Sequence, residues 1–124
     1  MDTQNLMTLL TVLPEQIEAA SLAREEAANA YAAERARVAS AALSAATFAG
    51  KDGQLRAAAN DTERKLAIER ALAERLSDKR TTLGKLAHKK RRAERRVERL
   101  RNQFLAAQLV TKLTLAELRE RSLS

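Results

Sequence analysis

The chain has no cysteine and no tryptophan, one proline, three glycines, one histidine and three aromatic residues in all. Without cysteine there is no disulfide, no thiolate metal site and no cysteine nucleophile. His88 as the only histidine then leaves no zinc site of ordinary type, and no cofactor is expected. Pro14, Gly50, Gly53 and Gly84 are too few to punctuate a series of short strands, so a sheet is not expected. The one glycine-flanked turn, Gly50-Lys51-Asp52-Gly53, is too short for a phosphate loop and lacks the following Lys-Ser/Thr. No segment approaches the ~20 apolar residues of a membrane span. The first 13 residues contain no base, unlike a secretory signal or an interfacial helix. These absences lead to the expectation of a cytoplasmic protein that is not an enzyme and does not bind membranes.

What is abundant is helix-forming. Of 124 residues, 26 are Ala and 19 are Leu, and 31% are charged. Ala, Leu, Glu, Lys, Arg and Gln are the strongest helix formers. The composition is that of an all-α chain with long helices or a coiled coil. Bulky side chains are scarce, so the core is thin and a second subunit is expected to help cover it.

The chain divides at its breakers. Residues 1–13 form a short apolar N-terminal helix capped by Asp2 or Thr3, with Pro14 opening the next helix. A first long helix is predicted over 14–48. Its seam alternates by three and four: Leu13, Ile17, Ala20, Arg24, Ala27, Tyr31, Glu34, Val38, Ala41, Ala45 and Phe48. A loop follows over 49–60. Asn60-Asp-Thr-Glu63 reads as a capping box, with Glu63 reaching back to the N-cap. The second helix is predicted over 61–110, with the seam Leu66, Ala73, Leu76, Leu83, Leu86, Lys90, Ala93, Val97, Leu100, Phe104 and Ala107. Gly84 inside it costs about 1 kcal/mol relative to Ala. Thr114-Leu-Ala-Glu117 is a second capping box and suggests a short helix over 114–121, with 119–124 a frayed tail. The architecture expected is a long antiparallel helical hairpin over 14–118, coiled-coil in packing and oligomeric.

Eleven of the 23 basic residues fall between Lys79 and Arg101, against two acids, Glu94 and Glu98. The seam leaves one outward face carrying Lys85, Lys89, Arg92, Arg95, Arg96 and Arg99, with His88 beside them. A one-sided basic stripe of this kind suits a polyanion, DNA above all, single- or double-stranded. No aromatic residue lies in the tract to stack on bases, so binding is expected to be phosphate-directed and largely independent of sequence. The competing expectation is internal neutralisation. Aligning Phe48 with Asp61 across a hairpin sets Glu15, Glu18, Glu25 and Glu26 opposite residues 84–94.

The same alignment leaves residues 104–118 overhanging. Leu6, Leu10, Leu13, Phe104, Leu109, Leu113 and Leu118 are therefore the candidate residues for a homo-oligomer, a dimer in the simplest case, or for a protein partner. Carboxylate pairs such as Glu25–Glu26 and Glu94–Glu98 sit among arginines and read as ion-pair partners, not as an acid/base pair.

Two stretches add a resemblance. Asn60-Asp-Thr-Glu-Arg-Lys-Leu-Ala and Arg101-Asn-Gln-Phe-Leu-Ala-Ala-Gln-Leu-Val resemble the second-helix entry and the C-terminal Arg-Asn-x-Phe motif of small helical bacteriophage and prophage proteins. Genes for such proteins often lie beside recombination or single-strand-binding genes. The resemblance covers about residues 49–118 and departs by inserting Gln54 to Ala59 before Asn60. It implies a phage recombination or replication setting in a bacterial host, which agrees with the DNA partner that the basic face suggests.

Overall fold

The computed structural model describes residues 3–50 and 52–123. The Asp2 cap, Lys51 of the glycine turn and the last tail residue, Ser124, lie outside them. Among the described residues the chain is all-helical apart from one minimal ladder, in the order α1 (Thr3–Ala45), β1 (Phe48–Ala49), β2 (Leu55–Arg56), α2 (Asp61–Ser77) and α3 (Thr82–Leu123). It forms two compact units. The first takes α1 up to Glu25 and α3 from Arg92 onward. The second is Glu26–Arg91.

α1 does not divide at Pro14, which lies inside the helix. A proline there removes the N–H that would reach the Leu10 carbonyl, at a cost of about 3 kcal/mol. Packing on both sides outweighs it. Leu6, Leu13 and Ala20, spaced by seven across the proline, are all buried. Leu13 and Ala20 share the first unit's core with Val97 and Leu100 of α3, flanked by Leu9, Ile17 and Phe104. The α1 seam holds from Leu13 to Val38, every member being buried or half-buried, whereas Ala41 and Ala45 are exposed.

The loop expected over 49–60 contains a sheet after all. β1 pairs antiparallel with β2, Phe48 opposite Arg56 and Ala49 opposite Leu55. The turn closes through Gly50 N–H to the Gln54 carbonyl at 2.7 Å and Gly53 N–H to the Gly50 carbonyl at 3.0 Å. Gly53 has φ +78°, the left-handed region that a side chain disfavours. The ladder rests on turn geometry and has no strand-like sequence to announce it.

α2 opens on the expected cap. Asn60 is extended and its Oδ1 accepts the Glu63 N–H at 2.9 Å. Glu63 reaches back, though to a different set of donors. Its Oε1 accepts from Arg56 Nη1 at 2.9 Å, from Asn60 Nδ2 at 3.3 Å and from the Ala59 N–H at 3.4 Å. Glu63 thus ties the end of β2 to the start of α2. The Arg56 hydrogen bond, opposed by partial desolvation and aided by the Ala59 N–H, holds the Glu63 carboxyl below its ordinary range. A lowered carboxyl stabilises the fold at neutral pH, and that share is lost as pH falls from the ordinary carboxylate value through the folded-state value. Glu63→Gln is therefore expected to destabilise at pH 7 and to converge with wild type under acid, read by urea melts across pH. Asn60→Ala is expected to cost about 1 kcal/mol at any of these pH values.

The long second helix is broken at residues 78–81. Asp78 is extended (φ −102°, ψ 105°), and its Oδ1 accepts the Arg80 N–H at 2.9 Å. Thr81 then caps α3, its Oγ1 accepting the Gly84 N–H at 3.1 Å. The Thr81 hydroxyl itself lies 2.7 Å from the Arg75 carbonyl and 2.9 Å from that of Asp78. This break resets the helical phase. Leu83 to Ala107 keep the expected seam, but upstream Leu66, Ala73 and Leu76 are exposed. Ala67, Ile68, Ala71 and Leu72 turn inward instead, and Leu72 joins Val38 and Leu83 in the second unit's core beside Tyr31. No separate helix forms over 114–121. The Thr114 hydroxyl donates to the Val110 carbonyl at 2.9 Å rather than capping a new helix, and α3 runs on through the expected tail to Leu123.

Candidate nucleic-acid interface

The candidate phosphate-binding residues all lie on α3, and all are exposed. Arg92, Arg95, Arg96 and Arg99 belong to the first unit, and Lys85 and Lys89 to the second. The Leu83, Val97 and Leu100 side chains are buried, which fixes the rotation of the helix and turns these cations outward.

Ion pairs away from these six cations include Arg37–Glu34, Arg56–Glu63, Arg64–Asp61 and Arg80–Asp78. In the first pair Arg37 binds Glu34 through two hydrogen bonds, at 2.6 and 3.0 Å, which lower the Glu34 carboxyl and raise the Arg37 guanidinium. Among the described residues, none of the six candidate cations makes such a pair. Glu15, Glu18 and Glu25 share the first unit with the four arginines and form no ion pair with them. Neutralisation by contact with α1 acids, one of the two expectations for the tract, is thus not formed among the described residues. His88 is exposed.

Lys90 behaves differently from its neighbours. It is half-buried on the seam side, with Nζ 4.9 Å from the Tyr31 ring centroid. A cation–π contact of this kind lets a charge occupy a core-facing position, worth about 0.5–1 kcal/mol. Lys90 and Tyr31 were both seam positions by spacing, and the spacing carried no hint of the ring contact.

Sequence reasoning missed two polar neighbours of the arginines. Asn102 and Gln103 line a shallow groove on α3 with Arg95, Arg99, Glu98 and Ala106. Residues 95, 99, 102, 103 and 106 fall on one helix face by three-and-four spacing, a signal that was available. Amide side chains beside guanidinium groups supply the neutral donors that commonly accompany phosphate contacts.

The apolar candidates separate into two groups. Leu6 and Leu13 are buried within the chain, and Leu10 and Phe104 are half-buried. Leu109, Leu113 and Leu118 are exposed, and Leu105 and Leu115 join them. Every residue from Leu115 to Leu123 is exposed. Among the described residues no helix is long and apolar enough to cross a membrane, and no group of His, Cys, Asp and Glu is placed to hold a metal ion. No protein-family model, curated protein or solved structure matches the chain.

Proposed function

We propose that this chain is a non-enzymatic nucleic-acid-binding protein that grips phosphates through Arg92, Arg95, Arg96 and Arg99, with Lys85 and Lys89 on the same helix. One observation carries the reading: six exposed cations on α3, none with an ion-pair partner among the described residues. Unpaired cations concentrated on one element raise the local potential and release counterions when phosphate replaces them. Asn102 and Gln103 extend the polar surface beside Arg95 and Arg99. The phage-like motifs around Asn60 and Arg101 support an accessory role in recombination or replication. The three-and-four spacing of Leu13, Ile17 and Ala20 against Val97, Leu100 and Phe104 supports coiled-coil pairing of α1 with α3 in the first unit.

The test is fluorescence anisotropy with a labelled duplex and a labelled single strand over a range of salt. Six phosphate contacts predict a log–log slope of about −5 on duplex and about −4 on a single strand. A flat response, or no binding even at low salt, would remove the proposal. The second reading, an adaptor that captures protein through apolar helix surface, is favoured by the exposed leucines of α3.

A further inference from the structure

The arginines of the first unit do not stand on a uniform surface. Leu13, Ile17 and Ala20 of α1 share a core with Val97, Leu100 and Phe104 of α3. Heptad spacing about that core places Ile17, Val97 and Phe104 at a, and Leu13, Ala20 and Leu100 at d. Arg92, Arg96 and Arg99 then fall at c and g, on one flank of α3. Glu94 and Glu98 fall at e and b, on the other flank, and Arg95 stands on the crest between. On α1, Glu18 and Glu25 occupy b, whereas c and g hold Gln16, Ala19 and Ala23. All of these flanking residues are exposed.

Helix direction decides which flanks share a side. Tyr31 meets Lys90, and Val38 shares a core with Leu83, so α1 and α3 run in opposite directions in the second unit. Each continues as one helix into the first unit. Antiparallel helices set g beside g and e beside e. One side of the first unit therefore carries Arg92, Arg96 and Arg99 beside Gln16, Ala19 and Ala23, with no acid among the described residues of this stretch. The other side gathers Glu18, Glu25, Glu94 and Glu98 around Arg101. This sidedness accounts for the finding that Glu18 and Glu25 form no ion pair with the three arginines among the described residues.

The two sides differ in what they admit. A duplex groove has a phosphate backbone along each wall. Entering it, α3 would bring its arginine flank to one wall and its glutamate flank to the other, where like charges oppose. A single strand has one backbone and meets the arginine side alone. The short Ala19 and Ala23 side chains leave the α1 bank of that side open, and Gln16 offers a neutral donor to phosphate.

We propose that a single nucleic-acid strand lies along this side, its phosphates against Arg92, Arg96 and Arg99 and its path bounded by Gln16, Ala19 and Ala23 of α1. The proposal rests on the nucleic-acid reading above and adds to it the form of the ligand and the part played by α1.

Anisotropy titrations of the full chain with a labelled single strand and a labelled duplex, at about 0.15 M salt, test it. A helix is about 10 Å across, more than the ~8 Å Debye length at that salt, so charge on one side is largely screened from the other. Wild type is expected to bind the single strand at least as tightly as the duplex. Ala19→Glu/Ala23→Glu is expected to weaken single-strand binding at least about tenfold, and Ala19→Lys/Ala23→Lys to strengthen it by a similar factor. Glu18→Gln/Glu25→Gln makes the same change of net charge as the lysine pair, and is expected to leave affinity within about twofold. These positions are exposed, so thermal unfolding should stay near wild type. Arg92→Gln/Arg96→Gln/Arg99→Gln is the reference for lost binding. Loss in that variant, with both alanine-site pairs at wild-type affinity, would overturn the proposal and leave the nucleic-acid reading standing. So would a gain in Glu18→Gln/Glu25→Gln equal to that of the lysine pair, because net charge alone would then govern, or a duplex bound more tightly than the single strand. No binding by wild type even at low salt would remove both.

Discussion

Changing Arg92, Arg95, Arg96 and Arg99 together to Gln is expected to lower duplex affinity about a thousandfold near 0.1 M salt and to flatten the salt slope by about 3.6. Four lost phosphate contacts at about 0.9 per contact give that slope, and the loss should be uniform across DNA sequences. The fold should not notice. All four side chains are exposed and unpaired among the described residues, and Gln is nearly as good a helix former as Arg. Removing the Arg92–Arg96 and Arg95–Arg99 repulsions, each worth about 0.2–0.5 kcal/mol, would if anything stabilise α3. Intact thermal unfolding with lost binding therefore identifies a binding face. Unchanged affinity would mean that the arginines only keep the helix solvated.

Gly84→Ala is the second large effect, and its sign is the informative part. Helix propensity alone predicts a gain of about 1 kcal/mol, because glycine is a poor helix residue. The structure predicts a loss. A Cβ on Gly84 would sit 2.3 Å from the Asp78 carbonyl oxygen and 3.1 Å from its carbon, and both are backbone atoms. That carbonyl also accepts the Thr81 N–H at 3.2 Å and lies within reach of the Thr81 hydroxyl. Moving it disturbs the cap of α3, next to Leu83, which is 1% exposed in the second unit's core. Overpacking of this kind costs about 1–3 kcal/mol, and the full value is expected here because no flexible side chain can yield. The melting temperature should fall by about 10 °C, at roughly 3–4 °C per kcal/mol for a chain of this size. A rise on Gly84→Ala in urea or thermal melts would show that the Asp78–Thr81 turn yields freely.

The comparison between sequence and structure turns on where information is local. The Asn60–Glu63 cap was legible because its donors and acceptors lie within four residues of one another. The outward set of the α3 cations was legible because Leu83, Val97 and Leu100 recur at heptad spacing on one helix. The α2–α3 break was harder to see. Thr81 has Gly84 at its third helical position, where a capping box would place Glu or Gln, so the usual signature is missing. Carrying one heptad phase through that break assigned Leu66 and Leu76 to the core and overlooked Leu72. The fate of the leucines was not legible either. Leu13 and Leu109 look alike in sequence, and only the packing partner across the unit distinguishes a buried residue from an exposed one.

From sequence alone came the helical class, the density of charge on α3, and the absence of thiol chemistry, because composition and short-range spacing suffice for these. Tertiary packing decided the rest. Leu6, Leu13 and Ala20 buried on one side carry α1 through Pro14, since a shared core outweighs one missing hydrogen bond. The close approach of the Asp78 carbonyl makes Gly84 obligatory, since only the folded turn brings that oxygen within reach.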